Sequence, residues 1–259
     1  MTPLPFFQVD AFAARPFEGN PAAVMPLDQW LDDALMQAIA AENNLSETAF
    51  TVPSDSSETD YDLRWFTPTV EVDLCGHASL AAAHILLMGD RVRFATRSGV
   101  LTVTREEGKL WLDLPAFEVE EAVEPGLTEA LGVTGPIFLS RGGNGSAIML
   151  LEDEAAVRGV TPDFAALRKI DRLVIVTALG SDTAIVSRVF AAYHGIDEDP
   201  VTGSAHAALV PFWAKRLGRD SFSALQASKR SGYLDCQLRG DRVRLGGTAV
   251  TVIEGHFQL

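Results

Sequence analysis

"HASLAAAHILLMG" (77–89) contains no Asp, Glu, Lys or Arg. Small residues fill its first two turns, and apolar residues cover it nearly all round. That pattern predicts a helix buried on every side, not a surface helix with one polar stripe. The flanking segments are short and β-prone, as in "TAFTVP" (48–53) and "GVLTVTREEGKLWLDL" (99–114). One fully buried helix set among strands predicts an α+β fold, with a curved, largely antiparallel or mixed β-sheet wrapped around a central α-helix. A doubly wound parallel sheet fits less well, and no GxGxxG fingerprint follows any strand.

The plan occurs twice. "GNPAAVM" around Asn20 matches "GNGSAIM" around Asn144, a shift of 124 residues. The same shift lays "AFTV" (49–52) on "LVIV" (173–176) and "RWFTPTVEVD" (64–73) on "RVFAAYHGID" (188–197). "RSGVL" (97–101) matches "RSGYL" (230–234) further on, in the same order. Collinear matches of this kind mark an internal duplication. Two pseudo-symmetric domains are therefore expected, 1–116 and 117–259, joined near the acidic stretch "AFEVEEAVEPGLTEALG" (116–132). In each, a strand, a Gly-Asn loop, a strand, a helix and two more strands lead to the central helix and a closing hairpin. "TAVTVIEGHFQL" (248–259) lies outside the repeat and is expected to cross back to the first domain.

Composition narrows the function. The 259 residues are 47% hydrophobic and 22% charged, typical of a soluble globular protein. A net charge of −14 opposes phosphate-backbone binding, so nucleic acid is not an expected partner. Two distant cysteines, Cys75 and Cys236, offer neither a disulfide framework nor zinc-ligand spacing. The N-terminal segment lacks signal-peptide character, and no 18-residue apolar run occurs. A cytoplasmic protein without a membrane anchor is expected.

Both central helices start on small polar residues, "CGHAS" (75–79) and "DPVTGSAH" (199–206). Helix N-termini offer unpaired amides and a positive dipole end, and Gly76 and Gly203 would let a ligand approach the backbone. Facing one another across a duplicated fold, two such ends would make a cleft for a carboxylate. His77 and Asp199 add titratable groups that capping alone does not need. His84 and His206 lie deeper in the helices and read as packed histidines. No metal site is indicated.

"NLSETAF" (44–50), "FTPTVEVDLCGHASLAAA" (66–83) and "GIDEDPVTGSAH" (195–206) resemble the signature segments of the PhzF-like, or phenazine-biosynthesis-like, family. The likeness extends from "FFQVDAFAARPFEGNPAAV" (6–24) to "VRLGGTAVTVIEG" (243–255). It implies a diaminopimelate epimerase-like fold and a homodimeric, cofactor-independent isomerase acting on a small anionic metabolite. Carried over by motif, Glu47 moves the proton, with His77 and Asp199 as companions. Asn20, Cys75, Gly76, Gly203 and Ser204 line the substrate site. Desolvation favours the neutral form of a carboxylate, which suits a group that must both take and return a proton.

Cys75 departs from the epimerase pattern, which has a thiol at both helix starts. The second motif carries Pro200 there, and Cys236 falls in a later hairpin, so a symmetrical two-thiol racemase is excluded. Two alternatives stay open. One is an epimerase pairing Cys75 with an unlike partner, since a helix N-terminus can activate a thiol. The other is a non-catalytic protein that binds small acids. A constant shift of 124 also lays Glu47 on Asp171, an acid without the surrounding motif.

Overall fold

The computed structural model describes residues 3–141 and 145–259. Asn144 and its Gly-Asn loop lie outside the described residues. The chain divides into two compact units, Met1–Asp113 with Gly246–Leu259, and Leu114–Leu245. The divide falls at 113/114 and not at 116/117, inside a strand, so the acidic Pro-Gly stretch belongs wholly to the second unit. Continuous backbone pairing carries the chain past the point where composition suggests a linker.

In the first unit the elements run β1 (Leu4–Ala11), β2 (Asn20–Pro26), α1 (Asp33–Asn43), β3 (Glu47–Pro53), β4 (Tyr61–Phe66), β5 (Glu71–Val72), α2 (Gly76–Leu86), β6 (Arg91–Thr96), β7 (Gly99–Glu106) and β8 (Lys109–Pro115). Pairings β1–β2, β3–β4, β4–β5, β6–β7 and β7–β8 are antiparallel, whereas β2–β3 and β4–β6 are parallel. The C-terminal strand Ala249–Phe257 pairs antiparallel with β1, Leu4 against Phe257 and Ala11 against Ala249.

Helix α2 packs against β1, β2, β3, β7 and the C-terminal strand, so the sheet curls around it. Residues Gly76 to Ala83 are buried. Their alanines let strands approach closely, and the one hydroxyl, Ser79 Oγ, donates to Cys75 O at 2.5 Å. Burial on every side ends at the last turn, where His84, Ile85 and Leu86 are half-buried. There His84 Nε2 meets Thr251 Oγ1 at 3.1 Å.

The second unit repeats the scheme. It holds β9 (Val119–Glu121), α3 (Leu127–Leu131), β10 (Ile137–Ser140), β11 (Ser146–Leu150), α4 (Glu154–Gly159), α5 (Phe164–Leu167), β12 (Leu173–Leu179), β13 (Ile185–Ala191), β14 (Ile196–Asp199), α6 (Gly203–Leu217), β15 (Ser221–Gln226), β16 (Gly232–Arg239) and β17 (Arg242–Gly247); the C-terminal strand is β18. Pairings β11–β12 and β13–β15 are parallel and the flanking ones antiparallel, as in the first unit. Helix α6 packs on β11 and β16. Pro211 interrupts its ladder by removing the N–H that would serve the carbonyl four residues back. That carbonyl, on Ala207, accepts instead from Phe117 N at 2.9 Å.

Register tests the repeat residue by residue. Arg64 lies opposite Phe50, and Arg188 opposite Val176. Ala22 lies opposite Glu47, and Ser146 opposite Leu173. Arg64 and Arg188 do the same work: each guanidinium grips a neighbouring glutamate with two nitrogens, Glu71 at 2.7 and 2.8 Å, Glu198 at 2.7 and 3.0 Å. Each also stacks over the phenylalanine two residues on, Phe66 at 5.2 Å and Phe190 at 5.1 Å. Strand β12, however, is set two residues later than the constant shift requires. The position equivalent to Glu47 is therefore Leu173, and "AFTV" corresponds to 175–178. Asp171 is exposed and precedes the strand; extra residues are accommodated there because a surface loop tolerates insertion.

Candidate functional site

Helix α1 ends on Asn44, whose left-handed backbone (φ 49°) turns the chain and whose N–H bonds Ala40 O. Three residues later Glu47 opens β3. It is no solvated charge at a helix end, because only 9% of the residue is exposed. Its neighbour in β2 is Ala22, and Asn20 begins that strand, completely buried. Cys75 stands at the N-cap of α2 and His77 in its first turn.

These elements bring Asn20, Glu47, Cys75 and His77 together. His77 Nε2 lies 3.0 Å from Glu47 Oε2, although neither atom is aligned for a hydrogen bond. On the other edge of the ring, Nδ1 lies 3.2 Å from Asn20 Nδ2 and 3.6 Å from Cys75 Sγ. Ser46 Oγ donates to Asn20 Oδ1 at 3.2 Å. Burial pulls the His77 imidazole towards its neutral form, but Cys75 and Glu47 beside it outweigh burial and hold it well above its ordinary value. The Cys75 thiol is pushed up to about 11, first by burial and then by the Glu47 charge, while His77 works the other way. At neutral pH Cys75 is therefore a thiol.

Sequence expectations for Cys75 thus divide. The helix end that would activate a thiol is present, but burial and the neighbouring carboxylate overcome it. Ser46 was not singled out, although its place in "NLSETAF" made it visible.

In the second unit Asp199 closes β14 and is 7% exposed. Its Oδ2 accepts from Thr202 Oγ1 at 2.5 Å, so the Thr202 hydroxyl is not spent on capping α6. Gln226, at the end of β15, accepts from Thr202 N at 2.8 Å and donates to Asp199 O at 2.7 Å. Ser228 Oγ donates to Pro200 O at 2.9 Å. Gly203 is buried and Ser204 partly exposed. Gln226 carried no local signal, because parallel pairing brings it here from 24 positions beyond Thr202.

His206 is buried, with Nδ1 donating to Thr202 O at 2.8 Å. It is less fully satisfied than a packed histidine is expected to be, since Nε2 has no hydrogen-bond partner among the described residues. Burial lowers it from 6.5 to about 4, against a small opposing effect of the Thr202 carbonyl. Because the folded value lies below the unfolded one, the unfolded chain takes up this proton first as pH falls. Stability should therefore decline between about pH 6.5 and about 4. His77, raised on folding, loses its contribution only above its unfolded value, outside that window. Urea midpoints over this range should fall less steeply in His206→Gln than in the parent, and equal slopes would refute the assignment.

The sequence profile of the PhzC-PhzF family, described as phenazine biosynthesis-like protein, matches residues 9–255. This chain belongs to that phenazine biosynthesis-like family. An uncharacterized isomerase of Pseudomonas aeruginosa is 52% identical, with 99% of each chain covered. The crystal structure of a PhzF family protein from Enterococcus faecalis superimposes with a TM-score of 0.92 at 45% identity, covering 100% of both chains. A hydroxyproline epimerase from Agrobacterium vitis shares the fold at a TM-score of 0.66 and 13% identity, covering 98% of this chain and 92% of its own. The PhzF fold is thus an epimerase-type α+β fold.

Within this PhzF-family chain, Glu47, Cys75 and His77 form the one group of donors among the described residues that could hold a metal ion, one atom from each lying within 4.8 Å of the others. Thiolate, imidazole and carboxylate would suit zinc. Their placement suits it less, because Cys75 approaches Nδ1 whereas Glu47 approaches Nε2 of the same ring. One ion could not take both edges without moving a side chain. No helix among the described residues is long and apolar enough to cross a membrane.

Proposed function

We propose that the protein is a cofactor-independent isomerase that moves a proton between carbons of a small, carboxylate-bearing substrate, with Glu47 as the acid and base. The observation that carries this reading is the buried Glu47–His77 pair at 3.0 Å. A carboxylate largely withdrawn from water and held against an imidazole ring is placed to take a proton from carbon and give it back. The name isomerase given to the 52% identical relative supports the same reaction class.

In the forward step the Glu47 carboxylate takes a proton from an acidified C–H and becomes a carboxylic acid. The electron pair left behind spreads into the conjugated substrate acid. Glu47 then returns a proton to a different carbon, so nothing is oxidised or reduced. His77 supplies positive charge close to where negative charge develops.

Small conjugated carboxylic and amino acids screened by thermal shift should reveal ligands that raise the melting temperature. Any such ligand, incubated with the protein in D2O, should take up deuterium at carbon by NMR. Ligands that bind tightly yet never exchange would overturn the reading. The competing thiol-based epimerase is disfavoured by the protonated Cys75. Cys75→Ala should keep exchange within about threefold of the parent, since general acid–base groups contribute roughly 10²–10⁴-fold and this thiol supplies none of it. A loss of that larger size would instead favour the thiol mechanism.

A further inference from the structure

Asn20 is completely buried, and its amide bridges two polar groups. On one side its Oδ1 accepts from Ser46 Oγ at 3.2 Å; on the other its Nδ2 lies 3.2 Å from His77 Nδ1. An amide NH2 only donates, and an amide oxygen only accepts. With the oxygen engaged by Ser46, the face turned to His77 is a donor, so it can bond Nδ1 only in the neutral ring, where that nitrogen carries a lone pair. The neutral ring then holds its proton on Nε2, the nitrogen 3.0 Å from Glu47 Oε2.

We propose that Asn20, oriented by Ser46, is a positioning residue that assigns the proton of neutral His77 to the edge facing Glu47, and that it does not bind substrate directly. This deepens the isomerase reading and rests on it only for its effect on rate. The nitrogen that gives up its proton when the ring becomes neutral is Nδ1, so an Nε2–H faces Glu47 in both charge states of His77. Without Asn20 the ring could equally place its one proton on Nδ1, next to Cys75 Sγ at 3.6 Å. Glu47 would then face a lone pair, and its anion would be repelled where it is now held. The misaligned geometry of the pair is compatible with this role, because catalytic hydrogen bonds often tighten only when substrate is bound.

This arrangement separates Asn20 from its expected place among substrate contacts. A substrate contact would raise KM when removed. A positioning residue lowers kcat with KM little changed.

The test is 15N NMR of the His77 ring in the full chain, with Asn20→Leu, Asn20→Asp and Ser46→Ala. In the parent, raising the pH should deprotonate Nδ1 and leave Nε2–H. Asn20→Leu should give mixed tautomers, and Ser46→Ala should shift the mixture in the same direction but less. The nearly isosteric Asn20→Asp presents only acceptors to Nδ1, so it should keep both nitrogens protonated to higher pH than the parent. This variant preserves the test if Asn20→Leu does not fold. An Nδ1–H tautomer in the parent, or a parent-like ring in both Asn20→Asp and Asn20→Leu, would overturn the proposal. Deuterium exchange is measured separately. Asn20→Leu should lower its kcat by roughly 10²-fold, the scale of a misplaced catalytic group, with KM within about threefold. A raised KM with kcat unchanged would overturn the positioning role even if the tautomer were as stated. Because the ring spectra need no substrate, a protein that shows the Nε2–H tautomer but never exchanges would sink the isomerase reading and leave the tautomer assignment standing.

Discussion

Glu47→Gln is expected to lower deuterium exchange by about 10²–10⁴-fold, the contribution typical of a positioned general acid–base group. Glutamine keeps the length and shape of the side chain but cannot take a proton from carbon. The fold should survive, because Glu47 begins a strand whose pairing with β2 and β4 is made by the backbone. Circular dichroism should therefore match the parent while exchange disappears. His77 supplies a second, independent sign. Its imidazolium is held up in part by the Glu47 charge, so replacing that charge should move its titration down towards the ordinary value by NMR. Asp171→Asn is the comparison variant. Asp171 is exposed and precedes β12, where the register puts Leu173 in the position of Glu47. It should leave exchange at the parental rate. Full activity in Glu47→Gln, or equal losses in both variants, would show that the base lies elsewhere.

Asp171 also shows how far the sequence could be read. The duplication was legible because its strongest matches are structural. Arg64 and Arg188 each clamp a glutamate and cover a phenylalanine, a geometry that demands the same residue types in both copies. The central helix was legible because Ala78, Ala81, Ala82 and Ala83 leave no polar face to expose. Between those anchors the register slipped by two residues, since matching apolar letters cannot locate an insertion in a loop. In the first unit, Glu47 and His77 could be recognised from motifs, but their separation could not. It depends on parallel pairing of β2 with β3 and on where α2 begins. Gln226 was invisible for the same reason: a lone glutamine at a strand end gains meaning only when that strand lies beside β13. The protonated state of Cys75 could not be read either. Helix position and burial push a thiol in opposite directions, and only the environment shows which prevails.

The loop before Asn20 should be the most sensitive to a single methyl group. Gly19 adopts φ +65°, and a Cβ placed there would lie 2.1 Å from the carbonyl oxygen of Ala11. That oxygen belongs to β1, and Ala11 is the residue paired with Asn20. Gly19→Ala must therefore pay the left-handed cost of about 1–2 kcal/mol and also push β1 and β2 apart where Asn20 is set. The loop has little slack to absorb the shift. Phe12 and Phe17 already have positive φ values of 57° and 77°, and Phe17 N is tied to the buried Asp10 carboxylate at 2.8 Å. Gly218 separates the two effects. It ends α6 at φ +63° with nothing within 4 Å of an added Cβ, so Gly218→Ala incurs the conformational cost alone. At about 2–4 °C per kcal/mol for a chain of this size, Gly218→Ala should lower the melting temperature by a few degrees, and Gly19→Ala by on the order of 10 °C. At a temperature where both are folded, Gly19→Ala should also lose exchange activity, because Asn20 is displaced from His77, whereas Gly218→Ala should not. Equal melting shifts would mean that the strands part without strain at Gly19. A destabilised Gly19→Ala with parental exchange would mean that the placement of Asn20 does not govern His77.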